Sequence, residues 1–132
     1  MGITLRPPGV DRRIGAPPDA VWRLLIDIDQ WPLWGPSVRR AELHGGGTEL
    51  TPGAHGTVWT SLGPALPFRI TEFEPGRRWG WTVAGIPATG HEVRSAPGGC
   101  LVRFETPWWA GAYLPVCAAA LVRIDKLARQ PQ

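Results

Sequence analysis

The chain has 132 residues, 43% of them hydrophobic and only 19% charged, which suits one globular domain spanning residues 1–132 and excludes a disordered chain. Its formal net charge of +3 comes mostly from arginine. The arginines form scattered pairs, Arg12-Arg13, Arg39-Arg40 and Arg77-Arg78, rather than a basic stripe, and this argues against nucleic-acid binding.

The first strand is expected over residues 3–14, interrupted by Pro7-Pro8-Gly9. Pro17 and Pro18 stop it, Asp19 can cap the amides that follow, and Ala20 to Ile28 carry apolar side chains at helical spacing. A helix over residues 18–30 therefore ends where Trp31-Pro32 forbids continuation. Asp27 and Asp29, two residues apart on that helix, diverge by about 200° and cannot grip one substrate atom together.

Val38 to Leu43 begins the sheet. Gly45-Gly46-Gly47 reads as a turn and not as a phosphate loop, since no helix starts after it. Further strands are expected at Gly56–Leu62, Leu66–Glu74, Arg78–Ala84, Thr89–Ser95 and Cys100–Thr106, separated by Pro-Gly and Gly-Gly turns. The spacing predicts an antiparallel meander.

Strand alternation sorts these residues into two faces. Trp79, Trp81 and Val83 share one face, as do Thr89, His91 and Val93, and again Val102, Phe104 and Thr106. Arg78, Glu92, Arg94, Arg103 and Glu105 fall on the other. By the same rule Phe68, Ile70 and Glu72 point inward, whereas on Gly56–Leu62 Val58 and Trp59 compete for the core side.

The uncharged stretch from Thr106 to Val122 approaches the length of a membrane span but contains Pro107, Gly111 and Pro115, so it reads as a loop and a buried helix, with no stable membrane insertion. Membrane-surface contact is the second reading. A closing helix over residues 113–129 sets Leu114, Cys117, Leu121, Ile124 and Ala128 on one face. Arg123, Lys126 and Arg129 lie off it, as suits a helix C-terminus.

In order, the APPDAVW helix start, the DIDQWPLWGP helix end, the ITEFEPGRRWGW strand turn, the His91 strand and the closing helix ending in RIDKLAR resemble a known family. Over nearly its whole length the chain resembles the polyketide cyclase/dehydrase branch of the START-related, helix-grip (SRPBCC) superfamily. The resemblance implies an α+β helix-grip fold: a curved antiparallel sheet wrapped around a long C-terminal helix, with a short helical segment after the first strand. Members share a cavity and vary its lining, so the fold alone does not transfer an activity.

The expected ligand is a small hydrophobic or aromatic molecule of polyketide- or lipid-like character. Its candidate contacts are Trp34, Trp59, Phe68, Ile70, Trp79, Trp81, Val93, Phe104, Cys117 and Leu121, the eight tryptophans of the chain being well suited to line an apolar space. His91 and Glu72 are the candidate acid/base pair for cofactor-free cyclisation or dehydration, since both titrate near useful values when buried. His44, His55 and His91 lack metal-ligand spacing, and no dinucleotide fingerprint or nucleophile elbow occurs, so neither a metal nor a cofactor is expected.

Cys100 and Cys117 lack paired spacing and read first as buried free thiols of a cytoplasmic protein and second, on proximity alone, as a disulfide, and Arg12-Arg13 lacks the apolar segment of an export signal. The chain is expected to be a monomer or homodimer. Three functions fit this pattern: a binder, carrier or sensor of a small apolar molecule, a lyase- or isomerase-type cyclase or dehydratase, and a chaperone-associated interaction module.

Overall fold

The computed structural model describes residues 6–130. Seven strands, β1 (Gly9–Ile14), β2 (Val38–Leu43), β3 (His55–Thr60), β4 (Ala65–Glu74), β5 (Arg78–Val83), β6 (Ile86–Ala96) and β7 (Gly99–Glu105), form one antiparallel sheet in the order β1-β7-β6-β5-β4-β3-β2. Helix α1 (Pro18–Ile26) follows β1, a single turn α2 (Trp31–Trp34) precedes β2, and α3 (Leu114–Ala128) closes the chain. The α+β helix-grip architecture is as expected, with α3 lying against β1, β7 and the two short helices. The start of the expected first strand, residues 3–5, lies outside the described residues.

The first helix is shorter than its periodicity suggests. Asp27 is extended (φ −85°, ψ 106°), and its carboxylate accepts a hydrogen bond from the Asp29 amide at 3.0 Å, starting a separate 3-10 turn over Ile28–Gln30. A backbone bridge causes the break: Leu50 N–H donates to Ile26 O at 2.9 Å, and Ile28 N–H donates to Thr48 O at 2.8 Å. Trp31-Pro32 then opens α2 instead of ending a helix, because proline is tolerated in a first turn. Asp19 makes no capping hydrogen bond; Pro17 occupies the cap position, and Asp19 sits in the first turn, where a negative charge suits the helix dipole.

The core lies between the concave face and the helices. Ile14, Leu25, Ile28, Trp31, Ile70, Trp79, Val102, Leu121 and Ile124 are buried there. Close backbone crossings depend on glycine: a Cβ on Gly99 would lie 2.1 Å from Ile14 O, and one on Gly56 would lie 1.9 Å from Glu42 O.

One irregularity re-aims β4. Ile70 pairs with Trp81 but Glu72 pairs with Gly80, so Thr71 is an extra, bulged residue. Thr71 and Glu72 therefore both point outward, and Phe73 returns to the inner side, where it meets the Trp22 ring edge-on at 5.8 Å. The strict alternation that placed Glu72 inside does not survive this extra residue.

The convex face holds an ordered lattice of charge. Glu105, 4% exposed, receives Arg78 at 2.8 Å, Arg103 at 2.9 Å and Arg6 at 3.2 Å. Glu92, also 4% exposed, receives Arg6 at 2.7 Å and Arg94 at 3.0 Å. Both residues were expected on the outer face and are there, yet guanidinium groups cover them. A Cβ on Gly9 would strike the Arg103 guanidinium and one on Gly90 would strike that of Arg78, so glycines leave the room these side chains occupy. Burial alone would push Glu105 toward its neutral acid, but hydrogen bonds from Arg103 and the charge of Arg78 outweigh it and hold the carboxyl below its ordinary range.

Candidate functional site: an aromatic cavity and its latch

Alternation on β5, β6 and β7 delivers Trp79, Trp81, Thr89, His91 and Phe104 to the concave face, and α2 and α3 add Trp31, Trp34, Tyr113, Val116, Cys117 and Ala120. Together with the turn from Gly35 to Val38 they enclose a cavity of about 40 Å³. An occupied small-molecule site measures roughly 300 Å³ or more, so the tryptophans nearly fill this one.

The rings are fixed by their polar edges as well as by stacking. Trp31 and Trp79 stack with centroids 5.4 Å apart, and Trp34 meets Phe104 edge-on at 5.6 Å. Trp31 Nε1 donates to Leu25 O at 2.9 Å and Trp34 Nε1 donates to Leu24 O at 2.8 Å, which ties both rings to the end of α1. Trp79 differs: its Nε1 is buried without a hydrogen-bond partner.

His91 is 2% exposed and both its ring nitrogens are engaged. Because the Trp79 carbonyl can only accept, Nδ1 carries the proton and donates to it at 3.2 Å. Nε2 is then an acceptor, taking the Thr89 hydroxyl hydrogen at 2.8 Å, while Thr89 Oγ1 accepts from Trp81 Nε1 at 3.0 Å. The chain Trp81, Thr89, His91, Trp79 thus has one direction throughout. Burial drives the His91 pKa down to about 3; the hydrogen bond to Trp79 opposes this and the Arg78 charge adds to it.

Two residues of the cavity lining, one before β2 and one before α3, are joined by a side-chain hydrogen bond. Ser37, between α2 and β2, meets the Tyr113 hydroxyl at 2.5 Å, where the 3-10 turn Trp108–Tyr113 runs into α3. Tyr113 is half-buried, and desolvation raises its pKa while the Ser37 hydrogen bond pulls the other way. This latch joins segments far apart in sequence, and no local pattern announces it.

Of the expected contacts, Trp34, Trp79, Trp81, His91, Phe104 and Cys117 border the cavity. Phe68, Ile70, Val93 and Leu121 are buried in the surrounding core and do not border it. Trp59 turns away from the core, Val58 taking the inner position, and the Arg40 guanidinium sits over the Trp59 ring at 4.6 Å. Glu72 lies on the convex face, half-exposed, where Arg78 donates to it at 2.9 Å. It cannot act with His91, because the sheet separates them.

The two cysteines are free and buried, and burial raises the Cys117 thiol to about 11, so it stays protonated and serves as packing. Among the described residues no cluster of three or more His, Cys, Asp or Glu side chains could hold a metal ion, and no helix is long and apolar enough to cross a membrane.

Residues 10–127, nearly the whole sheet and all but the last residue of α3, match the family described as polyketide cyclase / dehydrase and lipid transport. The chain belongs to this family. Solved structures share its fold: protein MLL2253 from Mesorhizobium loti (16% identity, TM-score 0.73, covering 92% of this chain and 96% of that one) and protein BH1534 from Bacillus halodurans (11% identity, TM-score 0.71, 95% and 98%). Protein CV1439 from Chromobacterium violaceum is similar at 19% identity and a TM-score of 0.67, over 94% of this chain and 97% of that one. At these identities the likeness is one of fold. No curated protein matches the sequence.

Proposed function

We propose that the protein binds a small aromatic molecule bearing an oxygen acceptor, of the kind polyketides supply, between the sheet and α3. The observation that carries this reading is the buried, unpartnered Nε1–H of Trp79 on the wall of an aromatic cavity. A buried donor without a partner costs stability, so such groups call for an explanation, and a ligand carbonyl or hydroxyl would supply the missing acceptor. The family description, which covers both polyketide chemistry and lipid transport, supports the same class of ligand.

Uptake requires the cavity to enlarge, and the Ser37–Tyr113 latch is the cheapest point at which to open it. One hydrogen bond is worth about 1 kcal/mol net, far less than unpacking the stacked Trp31 and Trp79.

His91 acts in this reading as a positioning residue. Held neutral and already accepting from Thr89, it fixes Thr89 and Trp81 at the cavity wall and does not supply a proton. Any cyclisation or dehydration would then rest on the shape the rings impose on a reactive chain, without Glu72.

The test is titration with emodin, an aromatic polyketide rich in carbonyl and hydroxyl oxygens, read by quenching of tryptophan fluorescence and by native mass spectrometry. Saturable one-to-one binding, weakened in Trp79→Phe, is expected. No binding, or equal binding by Trp79→Phe, would remove the proposed acceptor site.

A further inference from the structure

The end of the molecule around the latch carries no charge in any of its connecting segments. Antiparallel register brings the β3–β4 turn, the β5–β6 turn and the chain leaving β7 to the same end, since Trp59 pairs with Ala65, Val83 with Ile86, and Gly90 with Glu105. The turn after α2 joins them: Ser61 N–H donates to Ser37 O at 3.0 Å and Ser61 Oγ donates to Pro36 O at 2.8 Å. Residues 30–38, 56–68 and 106–122 contain no Asp, Glu, Lys or Arg, and 79–90 contain none either.

Each of these segments instead presents an apolar side chain to solvent. Leu62 is fully exposed, Ile86 is 54% exposed, and Trp108 and Trp109 are 64% and 69% exposed; Leu33, at 55%, stands two residues before the turn. The β5–β6 turn is built for this. Ala84 has φ +52°, in the left-handed region where asparagine or glycine is usual, so an alanine occupies a strained position that would otherwise hold a polar residue.

The charges bordering this end settle what it faces. Glu72 and Glu105, the nearest carboxylates on the convex side, are both paired with Arg78. Arg39, directly after the uncharged turn, is exposed and makes no ion pair among the described residues. The unneutralised charge behind the apolar tips is therefore positive.

We infer that this end docks on an anionic membrane surface, with Trp108, Trp109, Leu62 and Ile86 entering the headgroup layer and Arg39 meeting a lipid phosphate. Several separate tips, two of them tryptophan, match an interfacial zone better than a flat protein patch. The docked face is the one bearing the latch, so a ligand could pass between bilayer and cavity without crossing water. That consequence rests on the binding reading above, whereas the docking does not.

The experiment is flotation of the full chain with vesicles of phosphatidylcholine alone or with about 30 mol% phosphatidylglycerol, the anionic lipid being expected to strengthen binding about fivefold for one cation near the surface. Trp108→Ala/Trp109→Ala should lose roughly tenfold or more of the binding, Leu62→Ser several-fold, and Val122→Ser, an exposed apolar change on the flank of α3, nothing. Thermal unfolding checks that each variant is folded, and emodin quenching in vesicle-free buffer reports the cavity separately. Failure of the wild type to float, equal flotation of the double tryptophan variant, or a sedimentation dimer abolished by that variant without vesicle binding would overturn the docking. None of these would touch emodin binding.

Discussion

His91 lies against Trp79 with ring centroids 3.9 Å apart and planes 31° from parallel, and it donates its Nδ1 proton to the carbonyl of that same residue. One residue is thus held by its partner's ring and backbone at once, and charging His91 would protonate Nε2, which could then no longer accept the Thr89 hydroxyl hydrogen.

Acidification should therefore expose His91. Its pKa is depressed from 6.5 to about 3 in the folded protein, so between these values the unfolded chain takes up a proton that the folded chain refuses. Stability from this group is complete above about pH 6.5 and falls on acidification by up to about 1.4 kcal/mol per pH unit, or about 2 kcal/mol at pH 5. Urea unfolding at pH 7 and pH 5 measures it, and His91→Gln should show a flatter dependence; an unchanged slope in that variant would clear His91 of the effect.

Two glutamates on the same convex face should behave oppositely. Glu105→Ala leaves Arg78 with Glu72 alone and Arg103 with Asp11 alone, and the loss of its buried charge-assisted hydrogen bonds should cost about 2 kcal/mol. Glu72→Ala removes a half-exposed ion pair and should fall within about 0.5 kcal/mol while leaving emodin binding unchanged. Chemical denaturation and quenching titrations separate them, and a Glu72 variant that lost binding would return it to the site.

Tyr113→Phe removes the latch oxygen while keeping the ring. The expected result is faster emodin association in stopped-flow quenching and several-fold tighter apparent affinity, with stability altered by no more than about 1 kcal/mol. Unchanged association kinetics would place the opening elsewhere.

Leu121→Ala truncates a buried side chain on the gripped face of α3. It should cost about 2–5 kcal/mol through lost burial and a new void. A cost within that range, read by thermal unfolding, is expected; a change under about 1 kcal/mol would mean that α3 is not held by this face.

Much of this arrangement was legible in the residues. Alternation along β5 to β7 has a period that survives burial, so Trp79, His91 and Phe104 could be assigned to one face, and the apolar face through Cys117, Leu121 and Ile124 identified the gripped helix. What alternation could not show was the extra residue at Thr71, because a bulge changes phase without changing composition, and Glu72 was misplaced by it. Nor could polarity reveal that Glu92 and Glu105 are buried: they are covered by other charged side chains, which look like solvated surface in a sequence. The break at Asp27 and the Ser37–Tyr113 contact both depend on partners distant in the chain, beyond the reach of any local pattern.

The strand order also has a consequence in time. Strands β2 to β7 pair each with the next along the chain, so they can assemble by successive hairpins, whereas β1 pairs only with β7 and packs against α3. A segment made first must wait for the last-made parts before its amides and carbonyls find partners, and such non-local closure is slow. Joining β1 to β7 is then expected to be the late, rate-limiting docking in refolding. A circular permutant that starts at β2 and carries β1 and α1 after α3 would turn that distant pairing into a nearer one, and would fold faster to the same end state.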